Sequence, residues 1–254
     1  MIRAFVTGVE MYFRMFSRSG FELMGVVLWP LMIVTIAYFL YRGQQDLSSM
    51  YSIVLGATML AVWSTTTNTC GGAVRRMRQL GTLELMVAAP VPFGTVLAST
   101  GLAAAAMGVY TLVCTTVFGR LAFGIPITIA HPLVFAIAFV LAVVSVGALG
   151  VLLAATMFVF RYANLIANSF EFPVWLVTGL LFPLAVLPEW TRPISYALAP
   201  TWGVIALRRS ALGGDVLPAL GMCLLLTAVY SAIAAVSLRL FERAARERAT
   251  LSLT

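Results

Sequence analysis

Residues 132–158 read PLVFAIAFVLAVVSVGALGVLLAATMF, without one charged side chain. A helix needs about 20 mostly apolar residues to cross the hydrocarbon core of a bilayer, and this stretch exceeds that length. A helix on the surface of a soluble domain keeps a polar side towards water; this one has none. It therefore predicts a membrane-spanning helix. Working outward, five further segments meet the same criterion, at about 22–40, 51–71, 94–118, 165–187 and 216–238.

The whole chain agrees. It has 254 residues, 61% of them apolar and only 10% charged, with a mean hydropathy of +1.01. A soluble domain carries roughly 25% charge, so this excess of apolar side chains needs lipid as its solvent. The net charge of +7 comes from 16 basic residues, all arginine, against 9 acidic ones. Those arginines lie in short clusters between the spans, which fits membrane orientation and gives no reason to expect a nucleic-acid partner.

Arginine excess marks the cytoplasmic side of a membrane protein. With the N-terminus inside, the inner segments hold eleven arginines: 3, 14, 18, 75, 76, 78, 161, 239, 243, 246 and 248. The outer loops hold five: 42, 120, 192, 208 and 209. Both termini are expected in the cytoplasm. The first twenty residues place Ile2, Phe5, Val6, Val9, Tyr12, Phe13 and Phe16 on one helical stripe, with Arg3, Thr7, Glu10, Arg14 and Ser17 opposite. That pattern suits a helix lying in the membrane interface. The expected chain is thus an all-α integral membrane protein forming one domain over 1–254. An interfacial helix (1–20) precedes six spans, and a charged helical tail (239–254) follows them.

Little in this chain carries catalytic chemistry. A phosphate-binding loop of the form G-x-x-x-x-G-K-[ST] is impossible without lysine, and no G-x-S-x-G or H-E-x-x-H occurs. His131 stands alone at a loop edge, and Cys70, Cys114 and Cys223 lie in separate apolar segments without metal-ligand or redox spacing. The chain is read as not an enzyme, with no cofactor of its own, and uphill transport would draw on a partner or an ion gradient.

Polar groups inside spans are the remaining candidates. Asn164, Asn168 and Glu171 are spaced four then three apart, on one helical face. They fit a polar stripe on a translocation path or subunit contact, and equally an interfacial helix start after Arg161. The second span ends in Ser64, Thr65, Thr66, Thr67, Asn68 and Thr69, followed by Gly71 and Gly72. Its hydroxyls suit helix packing, and Thr66 and Asn68 are also candidates for lining a path.

Between the second and third spans, residues 75–92 read RRMRQLGTLELMVAAPVP. Gly81 can end the preceding structure, and Thr82 or Gly81 can cap a short helix with Glu84 in its first turn. Leu83, Leu85, Met86 and Val87 supply apolar contact before Pro90 and Pro92 stop the helix. Docking into a protein groove and contact with lipid headgroups fit this segment equally well.

At these residues the chain resembles the membrane permeases of the ABC type-2 exporter family. Gly81, Thr82, Leu83, Glu84 and Pro90 match its first cytoplasmic loop. The stretch TGLLFPLAVLP from Thr178 to Pro188, with Gly179 and Pro183, is similar to its fifth span. The segment from Pro188 to Asp215, with Pro200, Arg208, Arg209, Gly213 and Gly214, resembles its outer segment before the last helix. In place of the usual acidic run the chain has Arg75, Arg76, Met77, Arg78 and Gln79, so a partner with a matching acidic surface is expected.

The resemblance implies a permease moving an amphipathic, lipid-like or drug-like substrate outward across a plasma membrane, such as a bacterial inner membrane. Two separate cytoplasmic ATPase subunits would hold the ATP and magnesium, and a second permease chain, identical or paralogous, would complete the unit within membrane lipid. The coupling residues would be Arg78, Gly81, Thr82, Leu83, Glu84, Leu85, Met86 and Pro90. The substrate path or subunit contact would include Thr66, Asn68, Asn164, Asn168, Glu171, Gly179 and Pro183, and residues 188–214 would form a re-entrant outer hairpin. The alternatives are a stand-alone ion-coupled carrier using Glu171 or Asp46, and a non-transporting membrane scaffold.

Overall fold

The computed structural model of the chain describes residues 7, 10, 11, 14, 20–41, 47–81, 93–125, 129–159, 171, 173–180 and 187–248. Among them every regular element is a helix. The long apolar runs become α1 (Gly20–Tyr41), α2 (Leu47–Gln79), α3 (Phe93–Phe123) and α4 (Pro132–Val159). After a helical stretch at 173–177 and a 3₁₀ turn (Glu189–Thr191) come α5 (Arg192–Tyr196), α6 (Ala199–Leu212) and α7 (Leu217–Arg248). Of the described helices, three are long and apolar enough to cross a membrane, at Gly94–Phe123, Pro132–Thr156 and Leu217–Leu240, and Leu28–Phe39 is a shorter apolar helix.

Two expected boundaries shift. The second span extends as one helix of 33 residues, about 50 Å at 1.5 Å per residue, so Arg75, Arg76 and Arg78 are carried on helical backbone. It ends in a turn at Leu80–Gly81, where Gly81 takes φ 64°, the left-handed conformation that closes a helix and that glycine alone adopts without strain. The fifth span is not continuous: helix over 173–177 gives way to a turn at Thr178–Gly179, with Gly179 at φ 75°. At the N-terminus Thr7, Glu10, Met11 and Arg14 are helical and exposed, and Arg14 bonds Glu10 one turn away at 2.5 Å.

The core lies where α2 meets α3, α4 and α6, and α4 in turn packs on α6 and α7. Met59, Leu60, Val62, Val146, Val204 and Leu207 are fully buried there. Lipid is as apolar as these side chains, so helix association relies on close packing and polar contacts. Thr58 and Thr115 hydroxyls meet at 2.6 Å between α2 and α3. Elsewhere hydroxyls bond the preceding turn of their own helix, as Thr66 does to Val62 O at 2.7 Å.

The α5–α6 unit returns into the bundle. Ala130 N–H donates to Ala211 O at 3.1 Å, tying the far end of α6 to the start of α4. Nearer its own start, Gly203 packs on Met59 and on Ala142. Ala142 lies ten residues into α4, about 15 Å from its beginning, so α6 runs antiparallel to α4 and its first turn is deep in the core.

Candidate functional site

The fifth-span stretch is held by side chains from other elements. Its last turn leaves carbonyls without intrahelical partners, which an apolar solvent does not satisfy. Ser195 of α5 donates to Val177 O at 2.6 Å and to Thr191 O at 3.0 Å. Arg208 of α6 donates from Nη2 to Gly179 O at 3.4 Å, placing a cation near the helix C-terminus, where the dipole favours it. Tyr230 of α7 donates to Ala197 O, and Trp202 Nε1 donates to Tyr196 O at 2.8 Å. Opposite the break stands Gly56 of α2; a Cβ built there would lie 2.1 Å from Leu180 O. Only glycine lets the two backbones approach this closely.

About two turns before the break is a carboxylate. Glu171 is half-buried, and Ser64 Oγ of α2 donates to its Oε1 at 2.7 Å. Ser64 lies near the middle of α2, roughly 25 Å from either end, so this contact is at mid-length of that helix. A charged side chain at the centre of a bilayer costs about 3 kcal/mol or more. A hydrogen bond to a charged group returns roughly 1.5–3 kcal/mol, so one hydroxyl offsets only part of that. Beside it, Trp175 lies four residues on from Glu171 and packs against Trp29 of α1, with ring centroids 5.9 Å apart and planes at 55°. Asn68, one turn along α2 from Ser64, is exposed. An exposed amide on a membrane helix marks a water-lined or protein-covered surface.

Thr66 and Asn68 therefore point different ways. Thr66 is fully buried, with its methyl group where a side chain on Gly150 of α4 would stand. Asn68 faces outward, next to the Ser64–Glu171 contact. Arg78 and Gly81 are at the end of α2. Thr82, Leu83, Glu84, Leu85, Met86 and Pro90 lie outside the described residues, as do Asn164, Asn168 and Pro183. Sequence reading did not identify Gly56, Ser195 and Arg208 as the groups that meet the broken stretch, nor the Tyr230 bond to Ala197 O, nor the Trp29–Trp175 pair. Proline and serine at 188–195 and tryptophans inside apolar runs were the available signals.

The long apolar helices among the described residues mark a helical membrane protein. The chain belongs to the ABC-2 type transporter family, whose pattern it matches over residues 4–212. No curated protein matches it individually. The matched region runs from the N-terminal helix through α6 and includes the Ser64–Glu171 contact, the break at Gly179 and the segment after Gly81. The chain is thus a membrane component of an ABC transporter, a family whose members work with ABC ATPase subunits.

Proposed function

We propose that this chain is the permease subunit of an ATP-driven exporter that moves an amphipathic, lipid-like or drug-like substrate out of the cytoplasm. Six spans cross the plasma membrane, with both termini cytoplasmic and residues 188–214 folded as a re-entrant outer hairpin. Two cytoplasmic ATPase subunits bind ATP and magnesium, while a second permease chain, identical or paralogous, completes the path within the lipid. This chain supplies no catalytic group and no cofactor.

The observation that carries the reading is the family match across residues 4–212. The ending of α2 supports a coupling role for the segment that follows: the turn at Gly81 comes directly after a helix about 50 Å long. ATP-driven closure of the partner would push on the coupling residues from Arg78 to Pro90. Substrate would move along the surface bearing Glu171, Asn68 and the Trp29–Trp175 pair.

The test is affinity purification of the tagged chain from its native membranes in mild detergent, with identification of what co-purifies. A stoichiometric cytoplasmic protein bearing a phosphate-binding loop is expected. An intact, monodisperse chain without one would overturn the reading in favour of a stand-alone carrier, for which Glu171 is the ion-binding candidate.

A further inference from the structure

We propose that Glu171 and the Trp29–Trp175 pair form a recognition site for cationic aromatic amphiphiles, molecules carrying a protonated or quaternary amine on an apolar ring system. This rests on the permease reading above and deepens it by assigning the charge of the substrate. The first support is the unbalanced charge. Among the described residues the ion pairs join Glu10 to Arg14 and Glu189 to Arg192, while Glu171 accepts a bond from the neutral Ser64 hydroxyl. On α2 the arginine nearest in sequence to that hydroxyl is Arg75, about 16 Å along the helix from Ser64. A half-buried carboxylate among apolar helices gains from a cation brought to it, and it repels an anionic headgroup.

The second support is aromatic. Trp29 and Trp175 are inclined to one another, Trp29 is 43% exposed, and Trp175 is one helical turn from the carboxylate. Indole faces attract cations more strongly than any other side-chain ring. The exposed Leu28, Met32 and Leu176 flank the pair and offer an apolar bed for the body of the same molecule. Carboxylate, indole faces and apolar rim thus match the ammonium, its aromatic neighbour and its hydrocarbon part.

The experiment uses two bilayer probes that differ by one group: diphenylhexatriene, which is neutral, and its trimethylammonium derivative. Energy transfer from tryptophan to each probe gives its affinity for the purified complex, or for the detergent-solubilised chain if no ATPase co-purifies. The wild type should bind the cationic probe about tenfold more tightly than the neutral one. Glu171→Gln should bring that ratio close to one, and Glu171→Asp should keep it above one. Equal wild-type affinities, or a ratio untouched by Glu171→Gln, would overturn the proposal even in a complex whose ATPase partner is present. So would a Glu171→Gln variant that alters the oligomeric state while keeping the ratio, since the carboxylate would then be a subunit contact. Should Glu171→Gln not accumulate, Trp29→Leu decides: binding of both probes weakened several-fold supports the site, and unchanged affinity removes it.

Discussion

One methyl group at position 56 tests the contact between α2 and the broken fifth-span stretch. In Gly56→Ala the new Cβ would stand 2.1 Å from Leu180 O and 3.2 Å from Leu180 C. Contacts between a carbon and a carbonyl oxygen settle near 3.3 Å, so the two backbones must separate by about 1 Å. The obstructing atom belongs to the main chain and cannot rotate away, and Leu180 is itself only 2% exposed. Overpacking a tight core costs about 1–3 kcal/mol, and a clash between backbones belongs at the upper end of that range. A loss of about 3 kcal/mol is roughly a hundredfold in the folded-to-unfolded ratio. Gly72→Ala is the control: it lies in the same helix, nothing stands within 4 Å of its Cβ, and alanine should stabilise it by up to about 1 kcal/mol. Reversible unfolding in mixed detergent–dodecyl sulfate micelles, followed by circular dichroism, would separate the two. If Gly56→Ala unfolds at the same dodecyl sulfate fraction as Gly72→Ala, the close approach of α2 to the break is refuted.

Four further outcomes are expected. Gly179→Leu must adopt φ 75° with a side chain that resists it, at about 1–2 kcal/mol, whereas Gly179→Asn should be tolerated better; equal stability of the two variants would contradict the left-handed turn. Ser195→Ala removes the donor to Val177 O and should speed hydrogen exchange across 173–180, with a loss of about 1 kcal/mol; unchanged protection would show that the bond is not holding the stretch. A double-mutant cycle of Thr58→Val with Thr115→Val should report a coupling of about 0.6 kcal/mol, and a value near zero would assign the contact to shape alone. Glu84→Arg should lower transport and substrate-stimulated ATPase activity while expression holds; wild-type coupling would remove the docking role of that segment.

Much of the architecture is legible in periodicity and composition. The run at 132–158 and its counterparts in α3 and α7 are apolar on every face, and lipid is the solvent that accommodates this. The turn at Gly81 was readable because a glycine after a helical stretch has a local reason to be there. The break at Gly179 was not, because TGLLFPLAVLP is apolar throughout and hydrophobicity does not register where a helix stops. What accommodates it is tertiary: Ser195 and Arg208 bond carbonyls that a continuous helix would have satisfied itself, and the bare backbone at Gly56 leaves room for Leu180. The candidate site is similar. Glu171 and Ser64 were each visible as polar residues in apolar segments, but their meeting spans 107 positions of chain and no local spacing encodes it. Trp29 and Trp175 are likewise brought together only by packing.

The pattern of hydroxyl bonding has a consequence for how the protein is made. Thr35, Thr66, Thr67, Thr111 and Thr227 each donate to the carbonyl four residues back in their own helix. A nascent chain delivers its helices to the bilayer one after another, and association follows insertion. Helices that satisfy their own polar groups can wait there without a partner. The stretch from Glu171 to Leu180 cannot, because its carboxylate leans on α2 and its carbonyls on residues 195 and 208, which the ribosome has not yet released. Its settling is therefore a late event in biogenesis. Fragments ending near residue 180 should insert and then be cleared by membrane quality control, while those reaching the end of α6 should persist.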